Sequence, residues 1–171
     1  SADVAAGSES GTTLNAAGAA RIEARSHNSA VSSTQGIGFG GLSGVGVSFS
    51  KSKVDGATRA EVQGPLTAGG NVTVAADGRN VADTTSKSFA ASIGVSGAGG
   101  AAQAEVTDKA DVEALVGSAA TITAPGAVLV RANSDNDAKA QSDTGSGGIG
   151  SIAGASLLAR VGGGTKAELN A

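Results

Sequence analysis

Small or apolar residues alternate with polar residues along three stretches of the chain, and the stretches match position by position. In the second stretch, Leu66, Val72 and Val74 share one parity with Asn80. A period of two is typical of β-strands, because successive side chains point to opposite faces. The equivalent stretches run over 14–30, 66–82 and 122–138, so the copies begin 52 and then 56 residues apart. We therefore predict three repeats of one β-rich unit.

Each repeat divides into three parts. Gly18, Gly70 and Gly126 occupy equivalent breaks in the alternation and predict turns in which glycine supplies a positive φ. A glycine-rich part follows, in which the large apolar residues change parity, so we predict a bulge or a turn there. A second alternating part, 60–62 in the first copy, closes the unit, and the segments before it are predicted to be loops.

The repeats predict an all-β fold, namely a β-solenoid that resembles a parallel β-helix. We expect one segment over 1–171, with units at 12–63, 64–119 and 120–171 and with 1–11 as the end of a preceding unit. Each unit is expected to make two or three rungs about 4.8 Å apart, so that equivalent side chains form ladders. The predicted ladders are an asparagine column and an isoleucine column: Asn28, Asn80 and Asn136, and Ile37, Ile93 and Ile149.

Composition predicts a thin core. Glycine supplies 28 of 171 residues, the apolar fraction is mostly Ala and Val, and Phe39, Phe49 and Phe89 are the only aromatic residues. Small side chains fill a narrow space between two close backbone layers better than they fill a wide globular core. The in-register alternation argues against a flexible Gly/Ser linker.

Charge and hydropathy exclude several classes of function. The net charge is −3 and the charges are scattered, so no basic tract or aromatic platform is available for nucleic acid. The sequence contains no apolar run of about 18 residues, so we predict no transmembrane helix. The absence of cysteine excludes disulfides and thiolate metal sites and is compatible with an oxidising compartment.

Candidate chemistry is sparse, and we predict neither catalysis nor a cofactor. His27 is the only histidine and is expected to be a solvated surface residue. Asp135 and Asp137 share one strand face and form a weak calcium candidate. The Gly36–Gly41 segment matches G-x-G-x-x-G but lacks the following helix that a dinucleotide site requires.

The segment 58–76, TRAEVQGPLTAGGNVTVAA, resembles the repeats of filamentous-haemagglutinin-like and leukotoxin-type filamentous adhesins of Gram-negative bacteria. The glycine- and alanine-rich stretch at 93–101 resembles the part that follows in those repeats, and the resemblance covers nearly the whole chain. Family members often carry tyrosine where this chain has Glu61, Glu113 and Glu168. The resemblance implies a β-solenoid stalk, export to the bacterial cell surface, and a role in adhesion or in surface filaments.

Two functions follow as hypotheses. In the first, the chain is a structural stalk or fibre-forming segment of a secreted adhesin, and its partners are further repeats or copies of itself stacked head to tail, together with a host or neighbouring cell surface. In the second, the repeated face binds a glycan or another periodic ligand, with ice as the least favoured case because the threonines form no regular row. A β-helix enzyme is disfavoured, since such enzymes need clustered acids and bases in a cleft.

Overall fold

The computed structural model describes residues 3–170, which form strands and turns and contain no helix. The strands are β1 (Val4–Ser8), β2 (Leu14–Ala16), β3 (Ala20–Gly40), β4 (Ser43–Val54), β5 (Thr58–Val62), β6 (Leu66–Ala68), β7 (Val72–Ser92), β8 (Val95–Val106), β9 (Val112–Val116), β10 (Ile122–Thr123), β11 (Val128–Gly147), β12 (Gly150–Val161) and β13 (Thr165–Leu169). The prediction of an all-β fold is confirmed.

The strands form four sheets, each built from equivalent strands of successive repeats. We name them the corner sheet (β2, β6, β10), the long sheet (β3, β7, β11), the medium sheet (β4, β8, β12) and the short sheet (β1, β5, β9, β13). Every pairing is parallel. Parallel pairing requires a long connection between partners, and here the rest of each repeat provides it.

One repeat adds one strand to each sheet. In the long sheet Ala20 pairs with Val72, and Val72 pairs with Val128. The prediction of two or three rungs per repeat is therefore wrong. The reason is strand length: β7 has 21 residues and β8 has 12, so one passage through the four sheets uses the whole repeat.

Differences in repeat length are confined to the turns. Val54 pairs with Val106, a spacing of 106 − 54 = 52, but Thr58 pairs with Val112, a spacing of 112 − 58 = 54. Two additional residues are thus accommodated in the turn between β8 and β9. The ladder is undisturbed, because a turn at the surface tolerates insertion better than a paired strand does.

The alternation of β3 runs unbroken to Gly40, and a turn at 41–42 leads into β4, so of the predicted bulge or turn in the glycine-rich part the structure has the turn. Ile37 and Phe39 point outward, while Gly36, Gly38 and Gly40 point inward. The change of parity in the sequence means that the large residues move from the inner face of the strand to its outer face. Glycine is required on the inner face, because a Cβ added at Gly38 would lie 2.0 Å from the Val45 carbonyl oxygen of the medium sheet.

The interior has a thin part and a wider part. Between the long and medium sheets it consists mainly of Gly, Ala, Ser and Thr, with hydroxyls bonded across the gap, as in Ser32 to Ser50 at 2.8 Å and Ser48 to Ser86 at 2.6 Å. Where the long sheet faces the short and corner sheets, larger apolar residues fill the space. The most deeply buried of these are Val62, Leu66, Val72, Val74, Val112 and Val116. Two close backbone layers with small side chains are what the composition predicts.

Candidate functional surfaces

The three asparagines of the predicted column lie one above another in the long sheet. Asn28 pairs in register with Asn80, and Asn80 with Asn136. The Asn28 amide donates to Asn80 Oδ1 at 2.9 Å, and the Asn80 amide donates to Asn136 Oδ1 at 2.8 Å. The Asn136 amide ends the chain of bonds on the Gly162 carbonyl at 3.2 Å. Asn80 is fully buried and its two partners are partly buried, so the amides bond to one another and to the backbone inside the stack.

The predicted isoleucine column does not form. Ile37 lies within β3 and pairs with Phe89, whereas Ile93 and Ile149 lie in the turns that precede β8 and β12. The long strands of the first two repeats are offset by 52 residues, so the spacing of 56 does not bring Ile37 beside Ile93. The long strands of the last two repeats are offset by 56, so Ile93 and Ile149 hold equivalent turn positions. All three are exposed, Ile149 by 91%.

His27 and the two aspartates lie on the outer face of the long sheet. His27, Arg79 and Asp135 form one register column, and Arg79 Nε lies 3.4 Å from Asp135 Oδ2. Asp137 pairs in register with Val81 and not with a second carboxylate. Among residues 3–170, no three His, Asp or Glu side chains come together as a metal-ligand set.

Ion pairs follow the outer faces of the strands. Along β3, Glu23 accepts hydrogen bonds from Arg21 at 2.7 Å and from Arg25 at 2.6 Å. The Arg21 hydrogen bond, with the Arg25 bond and the two positive charges, lowers the pKa of Glu23 to about 2. On the next strand, Asp77 Oδ2 lies 3.3 Å from Arg131 Nη2. Each of these carboxylates lies beside an arginine, so the row consists of paired charges on a solvated face.

The turns that follow the medium sheet are linked from one repeat to the next. The Thr107 hydroxyl donates to Asp55, and together with Lys53 at 3.0 Å it lowers the pKa of Asp55. In the following turn the Gly164 amide donates to Asp111 Oδ1 at 2.6 Å. These carboxylates satisfy donors of the neighbouring repeat, which is a structural role.

An exposed apolar groove crosses the far end of the long sheet. Ile37, Phe39 and Phe89 line it, and Gly145 forms part of its floor, in a volume of about 480 Å³. Lys87 and Asp143 stand at its edge. Phe39 and Phe89 are 76% and 48% exposed, so aromatic side chains face the solvent here.

A second apolar surface covers the outer face of the medium sheet. We define the medium-sheet face as the outward residues of its first four register columns: Ser43, Val45, Val47 and Phe49 of β4; Val95, Gly97, Gly99 and Ala101 of β8; Gly150, Ile152, Gly154 and Ser156 of β12. None of these residues is charged. Val45, Val47 and Phe49 are each more than 60% exposed.

Sequence reasoning missed both apolar surfaces. It assigned the alternating large apolar residues to the interior. In a strand that lies against a close backbone layer, however, glycine takes the inward positions and the large residues point outward. The available signal was the pairing of inner glycines with outer large residues, as in Gly36, Gly38 and Gly40 beside Ile37 and Phe39. Residues 3–170 contain no helix that could serve as a membrane span.

Comparison with known proteins gives no relative. The chain matches no protein-family model, no curated protein and no solved structure.

Proposed function

We propose that the chain is a β-solenoid segment that acts as a structural stalk or fibre-forming repeat of a secreted bacterial cell-surface adhesin. The role is mechanical, namely reach and stiffness, and it needs neither catalysis nor a cofactor. One observation carries the proposal: every strand pairs in parallel with the equivalent strand of the adjacent repeat. Such a stack extends by repetition, because each repeat contacts only its neighbours.

The internal asparagine column supports the same reading. Asn80 accepts from the amide of the previous repeat and donates to the amide of the next one, so the column joins all three repeats. An asparagine ladder of this kind stabilises stacked parallel strands. This structural role accounts for all three asparagines of the column.

The ends of the sheets indicate the partner of such a segment. β3 and β11 are the edge strands of the long sheet, and β4 and β12 are those of the medium sheet. Edge strands present unpaired N–H and C=O groups that pair readily with another strand. We propose that further repeats of a longer chain, or copies stacked head to tail, cover them. The extracellular location is proposed from the resemblance to filamentous adhesins and agrees with the absence of cysteine.

Small-angle scattering tests the architecture. The 21 residues of β7 extend about 70 Å at 3.3 Å per residue, whereas three stacked strands span about 15 Å. A thin slab of these dimensions should have a radius of gyration well above the ~15–16 Å of a compact globule of this length. Negative-stain electron microscopy of the native material should show fibres of constant width. Compact, monodisperse particles would contradict the stalk.

The apolar groove favours one alternative function, the binding of a glycan. Phe39 and Phe89 are exposed beside Lys87 and Asp143, and aromatic rings with polar groups at their rim suit the apolar and hydroxylated faces of a sugar. A glycan array with the chain and with Phe89→Ala tests it. Binding that Phe89→Ala abolishes would support the alternative, and no binding at all would leave only the stalk.

A further inference from the structure

The medium-sheet face has a ridge and a groove that lie side by side. Val45, Val47 and Phe49 of β4 project from the first repeat as a ridge. Gly97, Gly99 and Ala101 of β8 lie beside them in register and form a groove. The groove is open, because a Cβ added at Gly97 would meet nothing within 4 Å.

Ridge and groove are complementary to each other under two-fold symmetry. Consider an axis parallel to the strands, midway between β4 and β8, in the plane between two facing copies. This axis places β4 of one copy over β8 of the other at the same strand position. Because Val47 and Gly99 are register partners, Val47 of each copy then faces Gly99 of the other. An interface in which residue i meets j and j meets i is the isologous type of symmetric dimers.

The same axis also pairs opposite charges. Lys53 and Glu105 are register partners beyond the uncharged columns. Facing copies therefore place each Lys53 beside the Glu105 of the other copy, at both positions of the dimer. In the single chain, Lys53 Nζ lies 3.0 Å from Asp55 Oδ2. The Lys53 side chain is 47% exposed, so it can reach a second carboxylate. Charge complementarity at the rim of an uncharged patch favours register and partner choice.

We propose that the medium-sheet face is a lateral self-association surface, on which a second copy of this chain docks with its β4 ridge in the β8 groove. The contact goes beyond the proposed stalk, since it joins stacks side by side and leaves their ends free. Two strands of about eight residues cover roughly 250 Å² per copy, well below the ~800 Å² per partner of a stable complex. One chain therefore pairs weakly, and an array with more repeats multiplies the contact.

The first test measures self-association of the chain up to about 1 mM by sedimentation equilibrium and small-angle scattering. We expect a weak dimer whose scattering fits two slabs face to face. Gly99→Val fills the groove from the outside, where its Cβ would stand 3.6 Å from Val47 Cγ1, an ordinary contact that leaves the single chain folded. Filling the groove should weaken the dimer about tenfold or more.

The double variant Val47→Gly/Gly99→Val provides the decisive comparison. It exchanges ridge and groove, so a glycine of one copy again faces a valine of the other, and dimerisation should return toward the original level. Gly147→Val is the matched control, because a Cβ there meets nothing within 4 Å and lies on the long sheet, away from the medium-sheet face. It should leave the dimer unchanged.

Several outcomes overturn the proposal. A chain that stays monomeric up to 1 mM has no lateral contact of this kind. A dimer that Gly99→Val leaves intact uses another surface. If that surface is the end of the stack, as the proposed function expects, the particles should also grow longer along the stacking direction. Binding of the chain to phosphatidylcholine or phosphatidylglycerol vesicles, lost in Gly99→Val without self-association, would assign the face to lipid.

Discussion

Glycine acts in this chain mainly through the space that it leaves. The sequence suggests that Gly18, Gly70 and Gly126 provide a positive φ at equivalent turns, but in residues 3–170 only Gly11 and Gly163 have one. Gly126 is needed for close approach instead, since an added Cβ would lie 2.9 Å from the Asn71 backbone nitrogen and 3.0 Å from the Gly70 carbonyl carbon of the preceding repeat. Backbone layers that approach this closely cannot accommodate a methyl group.

Gly38→Ala tests this at the thin interior. The new Cβ would lie 2.0 Å from the Val45 carbonyl oxygen, so the two sheets must separate. We expect a loss of about 1–3 kcal/mol in the free energy of unfolding, measured by urea titration. Gly147→Ala is the control, and it should be neutral or slightly stabilising, because its Cβ meets nothing within 4 Å. Equal effects of the two variants would mean that the close approach is not real.

Asn80→Ala tests the amide column. The substitution removes the acceptor of Asn28 and the donor to Asn136 at a fully buried position. Leaving buried polar groups unpaired costs about 1–3 kcal/mol each, so we expect a total loss of about 2–4 kcal/mol. Thermal and urea unfolding measure it.

The control for the amide column is Asn133→Ala. Asn133 is exposed on the outer face of the same sheet, and its replacement should change the free energy of unfolding by less than about 0.5 kcal/mol. A column that contributes nothing would leave Asn80→Ala and Asn133→Ala indistinguishable.

At the scale of the elements, the alternation in the sequence located the strands well, because a period of two survives wherever one face is buried. It also aligned the asparagines, since Asn28, Asn80 and Asn136 follow the same turn in each copy at constant distance. It failed for Ile37, Ile93 and Ile149, because register is set by pairing along a whole strand and the turns absorb the differences in length.

The number of rungs per repeat and the exposed apolar faces could not be obtained from the same pattern. Residue spacing does not reveal how long a strand continues before it turns. It therefore does not show that each repeat contributes only one strand to each sheet. The parity of Val45 and Val47 likewise does not reveal which side of β4 is covered. That depends on the medium sheet lying against the long sheet, a contact between residues far apart in the chain.

The charged row on β3 gives a pH-dependent property of one element. The hydrogen bond from Arg21 holds the pKa of Glu23 at about 2, below the ordinary 4.5. A lowered pKa in the folded state means that the carboxylate's contribution to stability is complete above pH 4.5 and is lost as the pH falls through 2. A carboxyl titration by NMR should give a midpoint near 2.

Arg21→Gln should raise the midpoint of Glu23 part of the way toward 4.5, because Arg25 remains 2.6 Å from the carboxylate. Arg131→Gln is the control, since Arg131 contacts Asp77 and not Glu23. If the two substitutions move the Glu23 midpoint equally, the effect is the general field of the face and not the hydrogen bond.

At the scale of the whole molecule, the middle repeat carries most of the burial. Val74 is fully buried, whereas its register partners Ile22 and Val130, in the outer repeats, are only partly buried. The difference arises because a strand of the middle repeat has a neighbour on both sides, and a strand at either end of the stack has one. Stability in such a stack is approximately the sum of each repeat and its contacts with adjacent repeats.

Val74→Ala and Val130→Ala make the same chemical change at equivalent positions of the middle and last repeats. Removing two buried methylene equivalents costs about 1.6 kcal/mol by transfer alone, and an unfilled cavity adds to it, so we expect about 2 kcal/mol for Val74→Ala. Val130→Ala should cost clearly less, as part of its surface already meets water. Urea unfolding with hydrogen exchange should show the last repeat opening before the middle one. Equal losses for the two variants, with uniform exchange along the chain, would mean that the three repeats unfold as a single cooperative unit in which the middle and end positions are equivalent, and the account of stability as a sum over repeats and their contacts would be wrong for this chain.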